Sequence, residues 1–168
     1  ESELATEHLS RWYTAFPKAR VCIGNHDERV IRKASSVGIP EMMMRPYKEL
    51  WDTPKWDWNY EFYTDGVRYT HGTGTSGERP AYTNARASMT STVMGHTHTV
   101  GGVSFLAGPN GTIFGMNVGC GVDPQHPAMR YSRRWTKRPV LGCGVVIDGD
   151  PFFELMDAGG IYRRENFK

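Results

Sequence analysis

The sequence predicts an α/β fold whose sheets are mixed and rich in hairpins. Three observations lead there. Helical periodicity is confined to three stretches, placed early and centrally. Between and after them run short β-prone segments, several of which end in a Gly turn that carries histidine: VCIGNHDE at 21–28, THG at 70–72 and TVMGHTH at 92–98. Finally, Asp65-Gly66, Pro109-Asn110-Gly111 and Asp148-Gly149-Asp150 sit between adjacent β-prone runs, the short-range signature of a hairpin. The 168 residues suffice for a domain with a real core, and no repeat, low-complexity tract or linker divides them, so a single domain over 1–168 is expected.

The elements follow in order. Leu4, His8, Leu9, Trp12 and Phe16 recur at helical spacing, which predicts an amphipathic helix over 1–16, stopped by Pro17. Residues 19–23 form a short strand leading to Gly24. Val30, Ile31, Ala34 and Val37 mark a second helix, ended by Gly38 and Pro40, with Arg29, Arg32 and Lys33 on a solvated face. Residues 41–59 hold Trp51, Trp56, Trp58 and two prolines and suit neither a clean helix nor a strand. They read as an irregular loop whose aromatics plug the domain edge; the alternative is an insertion in which Tyr47 or a Trp offers a stacking platform for a base. Strands at 60–63 and 67–70 flank Asp65-Gly66, and the second delivers His71. A Gly-rich loop follows. It lacks the Lys-Ser/Thr ending of a phosphate-binding P-loop, and Arg79 is its only cation. Pro80 suits the first turn of a helix reaching about Ser91. Residues 91–94 form the strand that presents Gly95-His96-Thr97-His98. Hairpins are expected over 100–118 and 140–156. Between them lies a polar loop in which Arg130, Arg133 and Arg134 cluster with Tyr131 and Trp135, a composition that suits a phosphate or nucleic-acid ligand or a plain solvated loop.

Composition excludes several classes. Apolar residues make up 39% and charged residues 23%, ordinary values for a globular protein. The net charge of +2 gives no bulk argument for nucleic-acid binding. No run approaches membrane-spanning length and no signal peptide opens the chain, so no membrane partner is expected. Cys22, Cys120 and Cys143 form no CxxC pattern. Small buried thiols in a reducing compartment are expected, hence a cytoplasmic location.

The histidine-bearing turns carry the functional argument. A strand holds its side chains rigidly, and a glycine beside it lets the backbone turn sharply at the sheet edge. Imidazole is the commonest metal ligand near neutral pH. Asn25, His26, His71, His96 and His98 all sit at such strand ends. In order, Gly24-Asn25-His26-Asp27, His71 and Gly95-His96-Thr97-His98 resemble the last three blocks of the calcineurin-like metallophosphoesterase family, G-N-H-[D/E], H and G-H-x-H. The likeness runs from about Pro17 past Asn117-Val118-Gly119, which is similar to that family's Asn-x-Gly turn. The family's D-x-H and G-D-x-x-D blocks do not precede Gly24, and residues 1–22 contain no Asp. The chain is therefore expected to be the C-terminal portion of a longer phosphoesterase domain.

The resemblance implies an α/β-β/α sandwich, incomplete because its first βα units are missing. It implies a hydrolase cleaving a phosphomonoester or phosphodiester with water activated between two divalent ions. Manganese is the first expectation, with iron, zinc, nickel or cobalt as alternatives, and the second site is expected to be weak without the missing Asp ligands. Asn25, His71 and His96 would hold one ion and His98 the other. His26 would stabilise developing charge or protonate the leaving oxygen, and Asp27 would orient it. Arg79, Arg130, Arg133 and Arg134 are candidate substrate contacts. Partners would be the phosphoester, nucleic acid if the enzyme is nuclease-like, and a second copy or the segment bearing the missing blocks. A non-catalytic scaffold that uses the fold as an interaction surface is the remaining alternative.

Overall fold

The computed structural model describes residues 2–122 and 136–156. Architecture is mixed α/β, as the sequence predicts, with helices and sheets of both senses. The chain gathers into two compact units, the first running to Phe62 and the second starting at Tyr63.

The first unit opens with α1 (Ser2–Ala15) and continues into strand β1 (Ala19–Cys22) and helix α2 (Arg29–Ser36). Helix α2 stops where a glycine predicts it. Gly38 takes φ +82, its N–H donates to the Ser35 carbonyl and the Ile39 N–H donates to the Ala34 carbonyl. That pair of bonds is the Schellman closure, and the left-handed residue inside it favours glycine. Periodicity located both helices but overstated their burial: Leu4, Trp12, Val30 and Val37 are all at least half-exposed, and α2 buries no residue.

Residues 41–59 depart from the irregular loop expected. A 3-10 turn (Glu41–Met43) and a one-turn helix, α3 (Tyr47–Leu50), lead to a strand, β2 (Trp56–Asn59), that pairs parallel with β1 in the register Ala19↔Trp56 to Cys22↔Asn59. Trp-Asp-Trp-Asn alternates bulky apolar and polar residues, and the alternation is the strand's cause: Trp56 is buried and Trp58 half-buried, while Asp57 and Asn59 are exposed. Trp56 is anchored further by its indole N–H, which donates to the Phe16 carbonyl at 2.8 Å.

The second unit is built on a five-stranded sheet in the order β3-β4-β5-β7-β6. Strand β3 (Glu61–Thr64) spans the division between the units and joins β4 (Val67–Thr70) through Asp65-Gly66, both at positive φ, the two-residue hairpin turn predicted. Helix α4 (Pro80–Ser88) has its proline in the first turn and ends at Met89 in the left-handed conformation, short of the expected Ser91, which begins β5 (Ser91–Met94). Strands β6 (Gly101–Gly108) and β7 (Gly111–Val118) pair antiparallel, and β7 also pairs parallel with β5, as β4 does. A final hairpin, β8 (Gly142–Ile147) and β9 (Asp150–Leu155), turns over Asp148-Gly149.

Two adjacent residues of β7 show how the layers stack. A Cβ on Gly115 would lie 2.4 Å from the backbone of Ala81 and Tyr82, so α4 rests directly on that face of the sheet. Met116 faces the other way, where its Cε would lie 2.8 Å from a Cβ on Gly144 of β8. The order is helix, five-stranded sheet, two-stranded sheet. The core is Val67, Val93, Phe114 and Met116, with Val146 and Phe153 of the last hairpin packed against it. Among the cysteines, Cys22 and Cys120 are half-buried, but Cys143 is exposed, contrary to the expectation of three buried thiols: β8 alternates, and its odd-numbered residues face outward.

Candidate metal centre

Parallel pairing positions the histidines of the second unit. In the β4–β5 register Thr70 is level with Met94, and in the β5–β7 register Met94 is level with Asn117. Three strands thus end together, and the residues beyond them leave the sheet at one carboxyl edge. Crevices at the carboxyl ends of parallel strands are where open α/β sheets bind ligands.

Beyond β4, His71 is followed by Gly72 at φ +90, whose N–H donates to Thr70 Oγ1 at 3.3 Å and whose carbonyl accepts from the Thr75 N–H at 3.0 Å. The loop is braced further on: Arg68 Nη1 donates to Asn84 Oδ1 at 2.7 Å and Asn84 Nδ2 donates to Thr75 Oγ1 at 3.2 Å. Beyond β5 the chain turns more tightly. The Thr97 N–H donates to the Gly95 carbonyl at 2.6 Å, which forces His96 to φ +59, a region costly for a residue with a Cβ.

The two turns bring His71 and His96 together. His96 Nδ1 lies 3.2 Å from His71 Nε2, with ring centroids 5.0 Å apart at 70°. Both rings are half-buried. Two nitrogens bound to one ion at about 2.0–2.1 Å stand roughly 3 Å apart at right angles and about 3.4 Å apart at the tetrahedral angle. The observed separation is that of an imidazole–imidazole hydrogen bond, whose donor is set by the tautomer, and it also falls within the span of two ligands on one ion. His98 stands on the same turn, half-buried, its carbonyl accepting the Val140 N–H at 2.7 Å. No group of three His, Cys, Asp or Glu side chains gathers in metal-holding geometry among the described residues.

A residue to which sequence reasoning gave no role holds this edge. Asn117 is 3% exposed at the end of β7. Its Oδ1 accepts the Ala81 N–H in the first turn of α4, and its Nδ2 donates to Thr97 Oγ1, each at 3.0 Å. One buried amide therefore ties the helix to the residue between His96 and His98. The only sequence signal was its place in Asn-Val-Gly after the histidine turn.

In the first unit the Gly24-Asn25-His26-Asp27 turn also leaves the carboxyl end of a parallel strand, β1, by way of Ile23, whose N–H bonds to the Asn59 carbonyl. Asn25 is half-buried and its carbonyl accepts from Arg32 Nη2 at 3.0 Å; His26 and Asp27 are exposed. The Asp27 carboxylate, expected to orient His26, accepts the Gly24 N–H at 2.8 Å and so braces the turn. Of the candidate substrate contacts, Arg79 is exposed immediately before α4. Arg130, Arg133 and Arg134 lie outside the described residues.

Two thiols have altered acidity. Burial, then the Glu61 carboxylate, pushes Cys22 up to about 11. Burial also raises Cys120, opposed by a backbone hydrogen bond at Val122. At both, burial disfavours the thiolate form. Comparison of the chain with protein-family models, curated proteins and solved structures returns no match. No helix is long and apolar enough to cross a membrane among the described residues.

Proposed function

We propose that the chain carries half of the active site of a metal-dependent phosphoesterase of the calcineurin-like kind, with an α/β-β/α sandwich as its complete fold. One observation carries the reading: the 3.2 Å approach of His71 Nε2 to His96 Nδ1 at the carboxyl edge of a parallel strand pair. The helix–sheet–sheet layering of the second unit supports the sandwich.

Divalent ions, manganese first among them, supply Lewis-acid polarisation of the phosphoryl group and of the attacking water when bound. The chain's own part is positional. His71 presents Nε2 and His96 presents Nδ1 as lone pairs, which requires the ring proton of His71 on Nδ1 and that of His96 on Nε2. Asn25 offers an amide oxygen and His98 a further imidazole. His26, exposed on its turn, has the access to donate a proton to a leaving alkoxide, work for which imidazole is suited at neutral pH. Asp27 keeps that turn closed through Gly24. Arg79 is the cation available to a phosphate oxygen near α4.

Titration with manganese and with zinc, followed by calorimetry, tests the donor set without relying on turnover. The expected result is saturable binding that weakens at least tenfold in His71→Ala and in His96→Ala and is unchanged in His8→Ala. Equal binding by all four proteins would overturn the assignment. Metal-dependent release of nitrophenol from mono- and diester phosphates, lost in His26→Ala, tests the chemistry.

A further inference from the structure

The first unit holds a cleft of about 550 Å³ that the proposed chemistry leaves unused. Its walls are unusual in two respects. They are aromatic: Tyr47 and Trp58 stack at 5.4 Å and 19°, and Tyr60 stands with them. They are also acidic: Glu41 lines the cleft beside Lys48, and the Asp27 charge reaches the Tyr47 hydroxyl. Glu28 adds a further carboxylate beside them, hydrogen-bonded to the Tyr60 side chain.

The Tyr47 hydroxyl reports the conditions inside. Its oxygen is shut off from solvent and has no hydrogen-bond partner among the described residues. Its acidity is pushed down to a pKa of about 12, by burial first and then by the charges of Asp27, Glu28 and Glu41, with Tyr60 contributing. Burial penalises charge of either sign, so the preference comes from the carboxylates of Asp27, Glu28 and Glu41, which disfavour a phenolate and favour a cation. Aromatic faces attract cations through their quadrupole, most strongly where water is excluded. A nucleobase would use the rings but gain little from the negative field, and an anion would be repelled. A small inorganic cation would find carboxylates but would have to exchange its water for ring faces.

We propose that this cleft receives the ammonium end of an organic cation, an alkylated ammonium of the choline type, as the headgroup of a phosphoester substrate. The second half of that statement rests on the phosphoesterase reading; the first does not. Position favours the combination. Ile23 lines the cleft and leads directly into Gly24 and Asn25, so a headgroup seated there leaves its phosphate beside the Asn25–His26 turn. The ester then orients itself: cation against rings and carboxylates, phosphoryl group toward the amide and imidazole.

The test separates charge from shape. Choline and tetramethylammonium are titrated by calorimetry into metal-free protein, alongside 3,3-dimethylbutan-1-ol, which has the shape of choline without its charge, and adenosine. The expected result is saturable binding of both cations, at least tenfold tighter than the neutral alcohol and weakened by salt. Binding should fall at least tenfold in Trp58→Phe and in the pair Glu28→Gln with Glu41→Gln, the latter leaving every ring in place. Equal affinity for the neutral alcohol, preference for adenosine, or no binding of choline overturns the proposal. Turnover of nitrophenyl phosphate without choline binding would remove the headgroup site and leave the phosphoesterase standing. Choline binding without metal binding or turnover would do the reverse. Phosphocholine in solution and phosphatidylcholine vesicles distinguish a free ester from a lipid headgroup.

Discussion

Replacing Asn117 tests whether a buried amide sets the histidine turn. In Asn117→Leu the volume is nearly kept, but Ala81, 1% exposed, loses the acceptor for its N–H. An orphaned buried donor costs about 1–3 kcal/mol. Thr97 Oγ1 loses a donor as well, yet Thr97 is half-buried and regains water, which adds about 0.5 kcal/mol. The sum is about 1.5–3.5 kcal/mol, read as a shift of the urea midpoint at unchanged slope. Thr97→Val leaves the Asn117 amide itself short of a partner and should cost about 1–2 kcal/mol, whereas Thr97→Ser keeps the hydroxyl and should cost little. Paired in a cycle, Asn117→Leu and Thr97→Val should be less than additive by 0.5 kcal/mol or more, because they remove the same bond. Zinc affinity provides a readout that packing alone would not move: partners that orient ligands are typically worth about 10–100-fold. A loss below about 0.5 kcal/mol, strict additivity and unchanged zinc affinity would refute the reasoning.

Four other outcomes are expected. His96→Asn should change stability by less than about 1 kcal/mol, since asparagine and histidine both take positive φ more readily than other side chains, while zinc affinity falls; calorimetric melting and titration check both. Gly115→Ala should cost about 3 kcal/mol, because its methyl would meet backbone at Ala81 and Tyr82 rather than a movable side chain, whereas Gly108→Ala, with nothing within 4 Å, should change the melting temperature little. Cys22, held at about 11 against an ordinary 9.0, carries about 100-fold less thiolate at pH 8 than an ordinary thiol, so iodoacetamide should leave it intact while the exposed Cys143 is labelled. The raised value also gives a pH dependence. Folded protein holds the proton more tightly than unfolded, so this contribution is present below about pH 9 and is lost as pH climbs through about 11.

What the sequence made legible was whatever a few neighbouring residues decide. Asp65-Gly66 and Asp148-Gly149 announce two-residue turns because only Gly, Asn and Asp take positive φ cheaply, and both hairpins form there. Gly38 and Pro80 mark helix ends for similarly local reasons. Strand β2 escaped because its alternation lasts four residues and is crowded by Pro46, Pro54 and Trp51, which break every longer pattern. The burial of α1 and α2 was overestimated because periodicity states which face is apolar, not whether anything covers it. Asn117 was beyond reach for a different reason. Its two bonds depend on α4 approaching β7 closely enough to touch Gly115, a contact between segments about thirty residues apart along the chain.

Among the described non-glycine residues of the second unit, positive φ falls on Asp65 and Asp148 in hairpin turns, on Met89 at the end of α4 and on His96. At Asp65, Gly66, Asp148 and Gly149 it belongs to turn residues whose chemistry permits it, and those turns serve only to reverse the chain. At His96 it falls on an imidazole-bearing residue, a type that takes positive φ more often than most side chains, directly after a glycine. The conformation costs about 1–2 kcal/mol for a residue with a Cβ. Core packing does not require histidine there, because the ring is only half-buried. What the ring gains from the position is the approach of its Nδ1 to His71 Nε2. Two ring nitrogens at that distance suit either an imidazole–imidazole hydrogen bond or a shared ion, and metal titration of His71→Ala and His96→Ala separates the two.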